Sequence, residues 1–179
     1  YKANRKERFA DQTEQEQKEF EMFMAEFSDT LTELKKKYMV FQFKGVEADD
    51  IAAYISKNLD TYKFQDCWLV SSDKDWDLLI NDRVSRFSTV TRKETTVYNW
   101  DDHYDFEIPE YITFKCLTGD KGDNVPGIPG IGPKRAVQLM QQYGDVFDIY
   151  DACPIDDRYK FIQNLNEHSE QLLMNVELM

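Results

Sequence analysis

Two groups of residues that could do chemistry lie close together between Thr118 and Lys134. Asp120 and Asp123 place two carboxylates on a short turn that contains glycine, and hard metal ions prefer carboxylate oxygens as ligands. A little further on, the sequence Gly-Ile-Gly-Pro-Lys-Arg starts at Gly130 and is typical of a hairpin that leads into a helix. Backbone amides at such a helix N-terminus attract phosphate. Side by side, the two groups indicate metal-dependent chemistry on a nucleic-acid backbone.

The glycine-rich segment predicts a phosphate-binding hairpin. Gly130 and Gly132 can take positive φ and leave room for another backbone to approach. Pro133 suits the first position of a helix, where its missing N–H costs nothing. Lys134 and Arg135 add positive charge beside the amides of the first turn. An ordinary loop entering an ordinary helix explains the Gly-x-Gly-Pro pattern equally well by itself, but the preceding Val-Pro-Gly-Ile-Pro segment favours the hairpin.

The elements that must position these groups follow from the spacing of apolar residues. Phenylalanines three and four residues apart predict a long amphipathic helix over about residues 12–37. Two further segments predict strands, one at 39–43 and a buried one at 67–71, and residues 84–90 and 95–98 predict a hairpin. The other predicted helices are at 49–58, 111–117, 133–143, 146–150, 158–165 and 167–178. This order predicts an α/β fold with a mostly parallel central sheet flanked by helices, followed by a helical DNA-binding region.

Two more acidic groups stand where predicted strands end. Glu47, Asp49 and Asp50 follow the first predicted strand, and Asp73 and Asp75 follow the second. Because sites in parallel α/β sheets form outside the carboxyl ends of strands, we expect the two groups to converge. Two divalent ions about 4 Å apart between such carboxylates could activate a water and stabilise the leaving oxygen of a phosphodiester. For each group alone, capping of the following helix is an equal alternative.

The net charge of −12 is unusual for a protein that contacts nucleic acid. Taken alone, it favours an acidic domain that binds cations or another protein. Positive charge is nevertheless concentrated in two places: Lys2 and Arg5 lie near the N-terminus, and Arg83 and Arg86 lie in a segment, 83–93, without acidic residues. Local basic patches can bind phosphates, although long-range steering of DNA is then poor.

The cysteines and the hydropathy of the chain exclude several classes of protein. Cys67, Cys116 and Cys153 are far apart and lack the CxxC spacing of zinc sites, so we expect reduced, packed thiols. The sequence contains no apolar run long enough to span a bilayer and no signal-peptide pattern. These features predict a cytoplasmic protein without a membrane partner.

Together, the motifs resemble those of the bacteriophage flap endonuclease family, the 5′-nucleases related to the 5′-nuclease domain of bacterial DNA polymerase I. The resemblance extends over nearly the whole chain and rests on YKANR, GVEADD, SSDKDWD, VSRFS, TGDKGDNVPGIPGIGPKRA and KFIQNLN. It implies a partial PIN-like catalytic domain with part of a helical arch in residues 1–108, and a helix–three-turn–helix DNA-binding motif in residues 109–179. The implied activity is metal-dependent 5′-3′ exonuclease and flap endonuclease cleavage of branched or 5′-ended DNA in replication or repair.

The resemblance also implies a metal site. Asp77 fits the family's sequence pattern but is not expected to be a ligand. Mn²⁺ is expected to be able to substitute for Mg²⁺, and a K⁺ ion is expected at the loop of the helix–three-turn–helix. The carboxylates that match the ligands of two Mg²⁺ ions are Glu47, Asp49, Asp50, Asp73, Asp75, Asp120 and Asp123.

The DNA contacts implied by the resemblance lie at the two ends of the chain. By the resemblance, Lys2 and Arg5 match basic catalytic residues of the arch that approach the scissile phosphate. The residues alone favour the alternative, a frayed and solvated terminus. The segment from Gly130 to Arg135 matches the element that holds the duplex backbone. Aromatic residues of the arch could stack on splayed bases; the candidates are Phe9, Phe20 and Phe23, although such residues more often form a core.

Relatives have a first strand with one Asp, and a further Asp, upstream of the position of YKANR, and they continue beyond the last predicted helix. We therefore expect the chain to be an internal piece of a longer, monomeric enzyme. A replication polymerase or a single-strand-binding protein is a candidate partner. A non-catalytic helix-hairpin-helix DNA-binding module is the alternative function.

Overall fold

A computed structural model of the chain describes residues 12–179, so Lys2, Arg5 and Phe9 lie outside the described residues. Contacts within the chain divide it into two units, with the boundary between Phe64 and Gln65. The predicted domain boundary after residue 108 lies within the second unit and stays a prediction.

The first unit is helical. Helix α1 spans Glu14–Lys35, α2 spans Ala48–Lys57 and α3 spans Leu59–Tyr62. Helix α1 begins at a capping box, in which the Thr13 hydroxyl accepts from the Glu16 amide at 3.3 Å and the Glu16 carboxylate accepts from the Thr13 amide at 2.7 Å. The predicted long helix is therefore confirmed. Its apolar face is not buried, since Phe20 and Phe23 are exposed and α1 contains no buried residue.

The predicted strand at 39–43 is wrong. These residues form no strand, and Met39, Phe41 and Phe43 are exposed. A strand is stable only when a neighbouring strand pairs with its backbone N–H and C=O groups. The described part of the first unit, residues 12–64, contains no second strand that could do so.

The second unit begins with a small mixed sheet. Strands β1 (Cys67–Val70), β2 (Val84–Ser88) and β3 (Lys93–Thr95) lie in the order β1-β2-β3. Strand β1 is parallel to β2, and β2 is antiparallel to β3. The hairpin is confirmed, although its second strand lies closer to the turn than predicted. The prediction that the 67–71 strand is buried is wrong, because Trp68 and Val70 are 53% and 62% exposed and only one face is covered.

Helices make up most of the chain after this sheet, as predicted. Short 3₁₀ turns lie at Lys74–Leu79, Val97–Asp102 and Ile108–Glu110. The α-helices are α4 (Tyr111–Thr118), α5 (Pro133–Tyr143), α6 (Val146–Ala152), α7 (Lys160–Glu167) and α8 (Ser169–Leu178). Two-residue strands, β4 (Gly119–Asp120) and β5 (Val125–Pro126), pair between α4 and α5. The core of this unit is formed by side chains such as Trp100, Leu117, Leu139, Ile149, Leu165 and Leu172. In the described part of the chain, no helix is both long and apolar enough to cross a bilayer.

We predict that Cys116 is the least reactive of the three cysteines, all of which are free thiols. Cys116 is fully buried, and burial raises the pKa of its thiol to about 11. The thiolate is the reactive form, so at pH 8 only about one molecule in a thousand carries it at this position. Burial also raises the pKa of Cys67 and Cys153, which are partly exposed. Labelling by a thiol reagent should therefore be slowest at Cys116 in native protein and become uniform in urea. Equal native labelling of Cys116 and Cys67 would contradict the packing around α4.

Candidate metal-binding and phosphate-binding site

Lys115 connects two of the predicted metal ligands. Its Nζ donates to Asp75 Oδ1 at 2.7 Å and also to Asp120 Oδ2. Asp75 lies in the first turn of the Lys74–Leu79 3₁₀ segment, whereas Lys115 and Asp120 lie at the end of α4 and just after it. The fold therefore brings two of the predicted acidic groups together around one ammonium. Sequence reasoning missed Lys115; its position five residues before Asp120 was the available signal.

The three groups shift one another's pKa values. Burial raises the pKa of Asp75, and Lys115 offsets this only in part. For Asp120, burial would raise the pKa, but hydrogen bonds from Lys115 and from two backbone amides outweigh it and lower the pKa. For Lys115, burial would lower the pKa, but hydrogen bonds to Asp120 and Asp75 together with their charges raise it. The Lys115 ammonium is thus charged at neutral pH, and this positive charge lies between the two carboxylates.

Asp120 is the last residue of β4, and Asp123 lies in the loop that joins β4 to β5. Asp120 Oδ1 accepts from the amides of Gly122 and Asp123 at 2.7 and 3.2 Å. At the base of the loop, Gly119 has a φ of +75°, and a Cβ added there would lie 2.3 Å from the Gly127 nitrogen. A Cβ on Gly127 would likewise lie 2.3 Å from the Thr118 carbonyl group. Two glycines therefore allow the two ends of the loop to touch, and the bonds from the Gly122 and Asp123 amides orient the Asp120 carboxylate.

The other predicted ligands have local capping roles. Asp73 Oδ1 accepts from the Asp75 amide at 3.1 Å and caps the 3₁₀ segment. Asp50 Oδ2 accepts from the Glu47 amide at 3.4 Å in the capping box of α2, and Asp49 Oδ1 accepts from the Asp50 amide at 3.0 Å. The alternative that these acidic groups cap the helical segments that follow them is thus confirmed. All of these carboxylates except Asp75 are exposed.

Two side chains at this site carry the kind of oxygen atom that binds hard metal ions. Asp75 and Asp120 offer carboxylate oxygens, which suit hard divalent cations, and they already share one positive charge. Among residues 12–179, no three Asp, Glu, His or Cys side chains are arranged to hold a metal. Within residues 65–179, Asp75 and Asp120 are brought together around Lys115, and the seven-ligand set stays a prediction.

The glycine-rich hairpin has the predicted helix start, and its two glycines differ in backbone conformation. Pro133 occupies the first turn of α5, as predicted, and Gly130 has a φ of +82°. Gly132, which could also take a positive φ, instead has a φ of −101°. A Cβ added at Gly132 would nevertheless meet nothing within 4 Å, so the space for an approaching backbone is there. The Arg135 amide donates to the Gly132 carbonyl at 3.0 Å, so this amide is engaged within the start of the helix.

Helix α7 supports the hairpin, a role that sequence reasoning missed. Asn164 Nδ2 donates to the Pro129 carbonyl at 2.7 Å. Arg135 Nη1 donates to the Gly130 carbonyl at 2.6 Å, and its guanidinium lies 4.6 Å from the centre of the Phe161 ring. Lys134 is exposed beside it. The KFIQNLN segment that contains Phe161 and Asn164 therefore fixes the shape of the hairpin and the direction of Arg135.

The prediction that Arg86 binds DNA is wrong. Arg86 is 6% exposed, and its guanidinium donates through Nε and, at 2.9 Å, through Nη2 to the fully buried carboxylate of Asp77. Its Nη1 donates to the Ser71 carbonyl at 3.0 Å, and the Tyr104 hydroxyl donates to Asp77. A phosphate could reach Arg86 only if this buried ion pair broke. Asp77, which was not expected to be a ligand, is thus a structural residue.

Arg83 differs from Arg86 because part of its side chain reaches solvent. It is half-buried, and its Nε donates to the Gln65 carbonyl at 2.7 Å. Its DNA contact stays a prediction.

Comparison with known proteins identifies relatives with a similar sequence and a similar fold. Residues 107–179 match the family described as "5′-3′ exonuclease, C-terminal SAM fold". The flap endonuclease of Escherichia phage T5 is 41% identical over 179 residues, which are 99% of this chain and 61% of the relative. Its crystal structure with metal ions superposes with a TM-score of 0.92 at 40% identity, covering 99% of this chain and 67% of that one. A pseudo-enzyme–product complex of the T5 flap endonuclease with DNA and metal ions gives a TM-score of 0.90 at 40% identity, with 99% and 65% coverage.

The chain thus spans about three fifths of the length of its T5 relative. The matched segment includes the Asp120–Asp123 loop, the glycine-rich hairpin and the helices that support it. With its sequence identity and its fold, the chain belongs to the 5′-nuclease family of flap endonucleases and 5′-3′ exonucleases.

Proposed function

We propose that the chain acts within a metal-dependent 5′-3′ exonuclease and flap endonuclease that hydrolyses phosphodiester bonds in branched or 5′-ended DNA. One observation carries the proposal: Asp75 and Asp120 converge on one positive charge, next to the loop that leads to the glycine-rich hairpin. The relatives' names, flap endonuclease and 5′-3′ exonuclease, agree with it. Replication or repair of DNA is the corresponding role in the cell.

The proposed chemistry divides among the residues of this chain as follows. When bound, two divalent ions, Mg²⁺ or Mn²⁺, supply the activation of water and the stabilisation of the leaving oxygen. Lys115 holds Asp75 and Asp120 together and neutralises part of their charge, so that DNA can approach an acidic surface. Lys2 and Arg5 are proposed to approach the scissile phosphate. The residues proposed to hold the ions are Glu47, Asp49, Asp50, Asp73, Asp75, Asp120 and Asp123.

Binding of the duplex is proposed to rest on the hairpin. Lys134 and Arg135 would contact the phosphate backbone, with Gly130 and Gly132 giving space and Arg83 adding a further contact. Specificity then comes from backbone shape and the free 5′ end rather than from base edges. A K⁺ ion at the helix–three-turn–helix loop is part of the proposal.

The proposed architecture is that of a larger enzyme. A mostly parallel, PIN-like sheet would include β1 and β2 and form the catalytic domain with residues 1–108, while residues 109–179 form the helical DNA-binding region. The whole protein is proposed to be a cytoplasmic monomer that works beside a replication polymerase or a single-strand-binding protein.

Cleavage of a labelled 5′-flap duplex tests the proposed function. The reading frame extended upstream of Tyr1 and the chain as given should be compared with and without Mg²⁺. We expect the extended protein to cleave the flap only with the metal, because the proposed hydrolysis needs two divalent ions. Absence of cleavage by both forms, with duplex binding intact, would overturn the nuclease assignment.

A non-catalytic DNA-binding module is the second candidate function. The observation that favours it is that Asp75 and Asp120 already share the positive charge of Lys115. Under this function the hairpin binds duplex DNA, and the carboxylates have no role in hydrolysis.

Loss of both hairpin charges tests DNA binding under either function. The double variant Lys134→Ala/Arg135→Ala should weaken duplex binding about tenfold and reduce the salt dependence by about two counterions, because each lost phosphate contact removes about one. Fluorescence anisotropy at several salt concentrations measures both quantities. Lys57→Ala/Lys63→Ala is the charge-matched control, since both lysines are exposed in the first unit. Unchanged affinity of the hairpin variant would exclude the hairpin as the contact.

A further inference from the structure

The side chain of Asn175 is a polar group buried far from solvent. It lies on α8 with no exposed surface. Its Nδ2 donates to the Cys116 carbonyl at 2.9 Å and to the Pro126 carbonyl at 2.8 Å. Its Oδ1 accepts from Gln171 Nε2 at 2.8 Å. Both amide hydrogens and the amide oxygen are thus engaged, which fixes the orientation of the group.

The two carbonyls that Asn175 binds stand on either side of the Asp120–Asp123 loop. The Cys116 carbonyl belongs to the last turn of α4, where carbonyl groups lack a partner within the helix. The Pro126 carbonyl belongs to β5, directly after the loop. The amide of Asn175 therefore ties the end of α4 to the return strand. Backbone pairing between Ile128 and Leu117 at 2.9 Å closes the same base.

We propose that Asn175 is a positioning residue for the candidate metal site, acting through the loop that carries Asp120 and Asp123. By holding the two ends of the loop together, it sets where Asp120 meets Lys115 and Asp75. Partners of this kind, which touch the ligand-bearing backbone and not the metal, usually control affinity for the ion. The inference rests on the proposed function, because the ions are those of the proposed nuclease.

A purely structural role makes a different prediction. If the hydrogen bonds of the Asn175 amide only stabilise the core, removal of the amide lowers stability and leaves the geometry of the loop unchanged. Asn175→Leu removes both donors and the acceptor while keeping a similar volume, so the Cys116 and Pro126 carbonyls lose their partner. A positioning role requires that the loop then loosens locally.

Hydrogen exchange in the extended, metal-free protein is the first readout. The amides of Gly122 and Asp123 donate to Asp120, so they report directly on loop geometry. We expect these two amides to exchange about tenfold faster in Asn175→Leu than in wild type, and the Mg²⁺ concentration for half-maximal flap cleavage to rise about tenfold. The KM for the flap duplex should not change, because the hairpin contacts are separate.

Leu172→Ala is the matched control, since Leu172 is fully buried on the same helix and binds neither carbonyl. It should lower stability without changing exchange at Gly122 and Asp123 or the Mg²⁺ requirement. Equal changes in both variants, or no change in Asn175→Leu, would overturn the positioning role.

If Asn175→Leu does not fold, a second variant tests the positioning role of Asn175. Gln171→Met removes the group that orients the Asn175 amide and leaves both loop carbonyls with a donor, so a smaller change in the same direction is expected. Wild-type exchange at both amides in this variant would overturn the inference. Lack of cleavage by the wild-type protein would overturn the proposed function instead. The hydrogen-exchange measurement would still test whether Asn175 positions the loop, because it needs no cleavage.

Discussion

Asp123→Asn in the extended protein is expected to abolish Mg²⁺-dependent cleavage of a 5′-flap duplex while duplex binding is kept or improved. The amide has nearly the shape of the carboxylate but carries no charge, so it is a poor ligand for a hard cation. Removal of one member of a catalytic unit typically lowers the rate by ~10³-fold or more. Binding should not weaken, because the substitution removes a negative charge that repels phosphate. Single-turnover cleavage and anisotropy in Ca²⁺ measure the two effects separately.

Asp151→Asn is the control for this experiment. Asp151 is an exposed carboxylate near the end of α6, so the same isosteric change there should leave cleavage unaltered. Cleavage by Asp123→Asn at the wild-type rate would remove Asp123 from the proposed ligand set. If the unmodified extended protein binds duplex and never cleaves it, the DNA-binding module becomes the better function.

Asp77→Ala should lower the free energy of unfolding more than Asp77→Leu/Arg86→Met or Glu33→Ala does. Asp77 is fully buried and receives hydrogen bonds from Arg86 and Tyr104, so its removal leaves a guanidinium buried without a counter-charge. Breaking one partner of a buried ion pair costs about 3–5 kcal/mol in the free energy of unfolding. Urea denaturation followed by circular dichroism gives this free energy directly.

Two further variants make the Asp77 experiment specific. Replacement of both partners, Asp77→Leu/Arg86→Met, should recover much of the lost stability, because apolar residues of similar size need no counter-charge. Glu33→Ala breaks the exposed Lys36–Glu33 pair, whose side chains are 63% and 70% exposed, and should cost less than about 1 kcal/mol. A loss below 1 kcal/mol for Asp77→Ala would show that the pair is not buried in solution. The double variant should also keep its DNA affinity, because Arg86 is buried and paired with Asp77.

Local features were predictable from the sequence. Helix α1, with its capping box at Thr13, and helix α5, with Pro133 in its first turn, are specified by neighbouring residues. The same holds for the turn at Asp120, whose carboxylate binds amides two and three residues further along. Hydrogen bonds of this range depend only on a short stretch of chain, so residue type and spacing suffice to predict them.

Strand 39–43 and Arg86 show where such reasoning fails. The apolar residues of 39–43 suit a strand, yet the described part of their unit contains no neighbour with which to pair. Arg86 looks like a surface cation in a basic segment, and only the position of Asp77 on the preceding 3₁₀ turn makes it an interior residue. In both cases the outcome depends on a partner that the local pattern does not contain.

The sequence by itself determined which residue types the candidate site could use: a pair of aspartates on a tight turn, and a glycine-rich hairpin ending in Lys134 and Arg135. Only the tertiary structure decided that Lys115 stands between Asp75 and Asp120, and that Asn175 ties both ends of the loop from another helix. The physical reason is the distance along the chain. Chemistry within a turn is set by adjacent residues, whereas a shared charge or a buried amide needs segments brought together by the packing of the whole unit.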